Sequence, residues 1–385
     1  MRLDADGRTP EVFSLKSQRG MSLITVALGM MAMLSATTLA IDVGMLMTAR
    51  SQAQNAADAG ALAGAVALAF NDMNNRSSSG PAVQSALEAA RANLVAGTAV
   101  SVQSGDVTFP PDPAGTFDRV QVKVYRTAER GNALPTLMAS LFGMTSTGIA
   151  ATATAEAVPA NSMSCVKPWA IPDRWIERQT PGWDSTDTFT AFPSNPSVFP
   201  DIFRNVTQTT YSGYTPAGAG TRITLGPEVG HAVEGDMYMA LRLPGSNGEA
   251  QFLSNISGCE SSRMSIGDLL TVESAATTAD TIQGVNDLIN LDPTAYWNSA
   301  SNRVVSTHNP SPRIVAVPVY DPLQFDQGRR VNDFTRIRIS NFIGVFIDHV
   351  EGNNVIAYLT PLAGQVSAGT PAPVGSFARA TRLVQ

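Results

Sequence analysis

The sequence predicts an α+β protein. A long N-terminal transmembrane helix continues into an α+β module, and a mixed, mainly β domain follows. Three observations carry this reading. Residues 21–41 are uncharged, bounded by Arg19 and Asp42. An Ala-rich, Pro-free stretch then runs on to about residue 70. Beyond residue 118, apolar residues alternate with polar ones in short runs, as half-buried strands require. An uncharged run of this length matches the ~20 residues a helix needs to cross a ~30 Å hydrocarbon core.

The first element is a leader, residues 1–20, carrying Arg2, Arg8, Lys16 and Arg19. The stretch 42–70 holds Arg50 as its one basic residue. Positive charge stays cytoplasmic, so the N-terminus is expected inside and the bulk of the chain outside the inner membrane, in the periplasm of a bacterial cell. A cleaved secretory signal is the alternative, with a small-x-small site at Thr38-Leu39-Ala40. The apolar run is longer than the usual h-region and the helical pattern continues past it, so a retained single-pass anchor over residues 21–41 is the expectation.

Beyond the anchor the helix has a readable face. Ala49, Ala53, Ala56, Gly60, Gly64 and Ala67 recur at spacings of three and four, beside a polar stripe of Ser51, Gln54, Asn55 and Asp58. Small residues at this spacing let another backbone approach closely. Gly inside a helix costs about 1 kcal/mol relative to Ala, so Gly60 and Gly64 imply something packed against them. That something is either another subunit or the chain's own domain.

The module spans residues 42–160. Residues 71–80 read as a turn region. Residues 81–96 read as a helix opened by Pro81, with Val83, Leu87, Ala90 and Leu94 on one face. Residues 98–109 are a predicted strand and 110–115 a turn. Residues 119–125 alternate Val120, Val122 and Val124 with Gln121 and Lys123. A short helix over 134–142 and an Ala/Thr-rich strand over 145–158 complete the unit, giving helices on one face of a small sheet.

At this point a family resemblance becomes specific. Arg19-Gly20-Met21, Asp42-Val43-Gly44 and the string Gln54-Asn55-Ala56-Ala57-Asp58-Ala59-Gly60-Ala61-Leu62-Ala63-Gly64-Ala65 resemble the N-terminal module of the Tad family, the TadE/TadG-like proteins of Flp (tight adherence) pilus assembly. The match covers about residues 18–70. The resemblance implies a pilin-like module in a membrane-anchored pseudopilin-like or accessory protein. Its implied partners are the membrane and other pilus-assembly or pilin-like proteins, reached through the N-terminal helix. Prepilins cleaved after a glycine usually carry Glu at the fifth mature residue; after Gly20 that position is Thr25. TadG-type proteins often carry a D-x-S-x-S metal site on an apolar strand. The nearest string, Asp184-Ser185-Thr186-Asp187-Thr188, follows no such strand and reads as a solvated loop.

Residues 161–385 form the predicted β-rich domain, entered through a linker at 159–162. The segment 165–175 is dense in Pro and Trp and suits a rigid extended run with aromatic anchors. Strands are predicted at 237–243, 313–320, 335–347 and 354–359, helical pieces at 266–272 and 281–291, and a loosely held tail around Pro371 and Pro373. The two cysteines, Cys165 and Cys259, are expected to pair in an oxidising compartment. A loop of that size stabilises by roughly 4–5 kcal/mol in the chain-entropy model. Two buried free thiols are the alternative.

The sequence offers little chemistry. Of its 385 residues 15% are charged, the net charge is −6 and no basic run appears, which argues against nucleic acid. H-E-x-x-H, G-x-S-x-G and P-loop motifs are missing, and His231, His308 and His349 lack ligand spacing. Asp321, Asp326, Asp333 and Asp348 fit no EF-hand and read as turn residues. Ser261 and Ser262 have no evident base, and Tyr211 and Tyr214 sit in a turn-rich loop. The expectation is a non-enzyme with no cofactor, no metal and no small-molecule substrate. The second function class is a membrane-tethered periplasmic or surface binding protein that uses the β-rich domain as an adhesive.

Overall fold

The computed structural model describes residues 18–384, apart from 72–74, 114, 116–117, 138, 180–181, 204–212, 216–217, 247–248, 309 and 374–375. Residues 1–17 of the predicted leader and Tyr211 therefore lie outside the described residues, as do parts of the predicted turns at 71–80 and 110–115. The chain divides into two compact units. The first runs to Gly60 and adds Leu87–Val107 and Val122–Ala153; the second comprises Ala61–Ala86, Thr108–Gln121 and Thr154–Gln385.

Helix α1 spans Gln18–Phe70 without a break. It holds no proline, and Ala dominates its later turns, so nothing in the local sequence stops it. Helix α2 (Pro81–Ala92) opens on proline and buries Ala82, Val83, Ala86, Leu87 and Ala90. It ends before the predicted fourth member of that face, and Leu94 is exposed. Strand β1 (Val107–Thr108) precedes β2 (Arg119–Arg126), whose Val120, Val122 and Val124 are fully buried. Strand β3 (Ile149–Pro159) closes the module sequence. Arg126 ties the first unit together. Its guanidinium donates to the carbonyls of Val95, Thr98 and Asn132, satisfying backbone acceptors of the short hairpin at 94–99.

The second unit is built on β4 (Trp169–Pro172), β5 (Arg222–Pro227), β6 (Met237–Arg242), β7 (Leu269–Val272), β8 (Ile314–Tyr320), β9 (Arg336–Glu351) and β10 (Asn354–Leu359). Their order is β5-β10-β9-β7-β6-β4-β8, with further pairings β5–β6 and β9–β8 that close the sheet into a barrel-like ring. The long β9 makes closure possible, since it pairs with β7, β8 and β10. Helices α3 (Glu249–Ser257), α4 (Thr278–Asn290) and α5 (Pro322–Arg329) lie between the strands in sequence. One core joins Val315, Val317, Val319, Ile343 and Val345 to Phe252 and Ile256 of α3 and Val285 and Leu288 of α4. A second core joins the alternate residues Ala316, Tyr320 and Phe342 to Trp175, Phe189 and Phe325. Both faces are covered, which explains why β8 and β9 read as apolar runs rather than clean alternation. Strands β11 (Leu362–Ala363) and β12 (Ala378–Val384) join the module strands in a five-stranded sheet of order β11-β12-β3-β2-β1.

Several local expectations are corrected. Residues 98–109 are not one strand, because a 3₁₀ turn at Ser104–Asp106 interrupts them. Residues 134–142 do not form a helix. Leu134–Pro135 pairs with Ser146–Thr147 as a hairpin around a single turn at Ala139–Phe142, which ends at Gly143 in the left-handed region. Residues 266–272 are not helical, because Gly267 has φ +94 and Leu269–Val272 forms strand β7, paired with β9. The predicted linker is buried at Ala160, Asn161 and Ser162. The end of the tail is held, since β12 pairs with β3 from Arg379–Pro159 to Val384–Thr154, while Pro371 and Pro373 lie outside any strand or helix.

Ring closure requires a residue without a side chain at Gly344. A Cβ there would overlap the Thr360 carbonyl oxygen and stand 2.7 Å from Leu362 Cβ. Gly344→Ala is expected to lower stability by about 2–4 kcal/mol, read from the urea midpoint of the purified protein in detergent.

Candidate functional site

Helix α1 changes character along its length. From Ser22 to Thr48 its side chains are largely exposed, including Leu23, Ile24, Met31, Met33, Leu34, Leu39 and Met47. Among the described residues it is the one helix long and apolar enough to cross a membrane. Its hydroxyls in this stretch bond back to the helix. Ser35 Oγ donates to the Met31 carbonyl, Thr37 Oγ1 to Met33 and Thr38 Oγ1 to Ser35, each at 2.8 Å. Such back-bonding satisfies a hydroxyl without calling on water.

From Ala49 onward the helix is pinned by its own chain. The six small residues Ala49, Ala53, Ala56, Gly60, Gly64 and Ala67 are all buried. At Gly64 a Cβ would stand 2.8 Å from Val120 Cγ1, 3.1 Å from Ala86 Cβ and 3.2 Å from the Ala82 carbonyl oxygen. Polar residues beside this face make specific bonds. Gln52 Oε1 accepts from the Ala96 amide at 2.8 Å, and Gln54 Nε2 donates to Asp58 at 2.9 Å and to the Thr152 carbonyl at 3.2 Å. At Gly44, by contrast, nothing lies within 4 Å of a Cβ.

Cys165 and Cys259 are joined as a disulfide with Cα atoms 4.5 Å apart. Beside it stands a group the sequence reading missed. Lys167 is buried, and its Nζ donates to the Gly258 carbonyl at 2.6 Å and reaches Asn255 O at 3.5 Å. It meets carbonyls at the C-terminal end of α3, where a positive charge is favoured. Burial pushes its ammonium down to about 8. A lone Lys between Trp- and Pro-rich residues gave no sequence signal for this contact.

The remaining polar clusters are structural ties. Ser306 and Ser311 Oγ each donate to Asp292 Oδ2 at 2.6 Å, while His308 Nδ1 lies 3.5 Å from Oδ1. Both serines bond the carboxylate directly, so the imidazole does not stand between hydroxyl and acid as nucleophilic catalysis requires. Burial alone would raise Asp292, but these hydroxyl bonds and His308 hold it below the usual carboxylate range. Tyr214 is fully buried, contrary to the turn-loop expectation. Its hydroxyl donates to Asp236 at 3.0 Å, and the Arg174 guanidinium stands over both the Tyr214 and Trp183 rings, 4.3 and 4.4 Å from their centroids. His231 stacks on Phe334, and His349 pairs with its neighbour Asp348. Asp321 caps α5, Asp326 pairs with Arg329, and Asp333 accepts from Thr335. Ser262 donates to Glu260, and Asp184 closes a local turn with Thr186. Among the described residues no three His, Cys, Asp or Glu side chains gather as a metal site.

Gly64→Leu is expected to destabilise the protein by about 2–4 kcal/mol, because the leucine must displace Val120 and Ala86; thermal unfolding in detergent measures it. Lys167 gives a pH signature. Its folded pKa lies below the unfolded value of ~10.4, so between about pH 8 and pH 10 the unfolded chain binds more protons and stability rises with pH. The slope is at most about 1.4 kcal/mol per pH unit. Lys167→Met is expected to remove that rise, seen as the difference between urea midpoints of the two proteins across the window.

Residues 20–67 match the family model Tad, described as "Putative Flp pilus-assembly TadE/G-like". The matched span lies within α1. No curated protein and no solved structure matches the chain.

Proposed function

We propose that this chain is a single-pass inner-membrane protein, pseudopilin-like or accessory, that works in assembly of a Flp/Tad-type pilus. In this role its N-terminus is cytoplasmic, the rest of the chain is periplasmic, and it performs no catalysis. One observation carries the reading: the TadE/G-like match coincides with a continuous helix whose first half is apolar and uncovered. The leader's Arg and Lys residues support the orientation. An oxidising periplasm agrees with the Cys165–Cys259 bond.

The small-residue face at 49–67 is occupied within the chain, so contact with pilus components falls to the uncovered stretch. There Ala36, Ala40 and Gly44 repeat at four-residue spacing, a pattern suited to close helix approach in lipid. Gly44→Leu separates partner packing from folding, because a Cβ at that position has nothing from the other described segments within 4 Å. The variant is expected to stay folded and membrane-bound while losing co-purification with the other pilus components and abolishing piliation. Unchanged co-purification and piliation would reduce α1 to a plain tether.

A further inference from the structure

Asp42 does something that the helix alone does not require. It is buried, and its carboxylate accepts from the backbone amides of Leu137 at 3.1 Å and Ala139 at 2.6 Å. These amides belong to the hairpin between Leu134–Pro135 and Ser146–Thr147, which lies in the same compact unit. The helix thus holds this hairpin at the height of residue 42.

That height is defined by the membrane. At about 1.5 Å per residue, residues 22–41 account for a hydrocarbon core of ~30 Å, and the headgroup layer extends several ångströms beyond it. Asp42 stands where the core ends. The helix residues around it remain apolar and exposed: Ile41, Val43, Met45 and Met47. Arg50 is the first exposed charge. The hairpin fits the same layer. No charged residue occurs from 131 to 155, and Leu137 and Met144 are 56% and 63% exposed. Two of its hydroxyls are used internally: Thr136 donates to the Met144 carbonyl and Ser140 to the Leu137 carbonyl.

We infer that the hairpin at 134–147 is a second membrane contact, lying in the headgroup and upper acyl layer of the bilayer that α1 spans, with Asp42 as its clamp. The occupant of this apolar surface is lipid. Asp42 is tolerated at the membrane edge because its charge is directed into backbone amides rather than toward lipid. The inference rests on the membrane-spanning reading of α1, and the experiment separates the two.

Both native cysteines are bonded to each other, so single substitutions create unique labelling sites. Leu137→Cys, Met144→Cys, Met31→Cys and Leu94→Cys place the label at exposed positions. Each full-length variant is labelled with an environment-sensitive NBD fluorophore and reconstituted in nanodiscs containing lipids spin-labelled near the headgroup or deep in the chain. Position 31 reports the anchor. Position 94 is the aqueous control, since its hairpin is held at Gln52, ten residues above Asp42 on the same helix. The expected result is deep-lipid quenching at 31, shallow-lipid quenching with a blue-shifted emission at 137 and 144, and neither at 94. Quenching at 31 with 137 and 144 behaving like 94 overturns the second contact and leaves the anchor standing. Absence of quenching at all four positions overturns the anchor and the contact together.

Discussion

Helix α1 carries two kinds of surface, an uncovered apolar half and a buried small-residue half, and the segments beside it answer to that constraint. Helix α1 has no break between Gln18 and Phe70, so backbone bonding is settled along its length and only side chains register the change of environment. Below Ala49 the large exposed residues are Leu, Ile, Met and Val, which gain nothing from water. From Ala49 upward the buried residues are Ala and Gly, apart from Leu68 near the end of the helix. Large side chains would add more apolar area there, but they would hold neighbouring segments away. With Gly64 at the contact, Val120, Ala86 and the Ala82 carbonyl come within van der Waals reach of the helix. Burial of many small contacts replaces burial of a few large ones.

The β-rich unit follows a different logic. Its sheet closes on itself, which removes most free edges, and each face carries its own apolar core. Closing a ring from strands as short as β4 and β7 leaves many loops, and buried polar groups organise them. Arg313 collects the carbonyls of Asp292, Ala295, Ile347 and Asp348. Asn161 holds Ser367 and Thr370. Lys167 meets the end of α3 beside the disulfide. These ties resemble catalytic clusters in composition, yet each donor is spent on a carbonyl or carboxylate of the scaffold. Their geometry therefore argues for loop fixation.

Legibility in the sequence followed the range of the governing interaction. The long helix was readable because its cause is local: no proline, no charge over 21–41 and continuous helix formers. Strands β2, β6, β8 and β10 were readable because alternation or β-branching marks them directly. Strand β7 was misread as helix because Leu269-Leu270 fits either period, and its pairing with β9 decides the outcome. The segment at 134–142 looked helical from its apolar residues, but Pro135 and Gly143 bound a hairpin instead. Tyr214 and Lys167 could not be placed at all. Their partners, Asp236 and Gly258, are distant in sequence, and no local pattern encodes such pairings. The small-residue face was visible, but its spacing alone did not say whether the chain or another subunit would cover it.

On the membrane-spanning reading of α1, Asp42 keeps the two halves of the helix in register with the bilayer. A neutral residue would suit the helix and the lipid better, since a carboxylate near hydrocarbon is costly. Its two amide bonds offset that cost only while the hairpin stays in place. Sliding the helix deeper would carry the carboxylate and the bonded hairpin into the acyl region; sliding it outward would expose Leu39, Ile41 and Val43 to water. Both displacements are opposed, and by different forces. A single apolar span fixes neither depth nor rotation tightly, because a helix tilts and shifts at small cost. A span with a laterally attached apolar hairpin fixes both, because rotation about the helix axis would lift the hairpin out of its layer. Under the proposed role, that leaves the Ala36, Ala40 and Gly44 stripe facing one set direction within the bilayer. Recognition of a partner helix needs such a defined face.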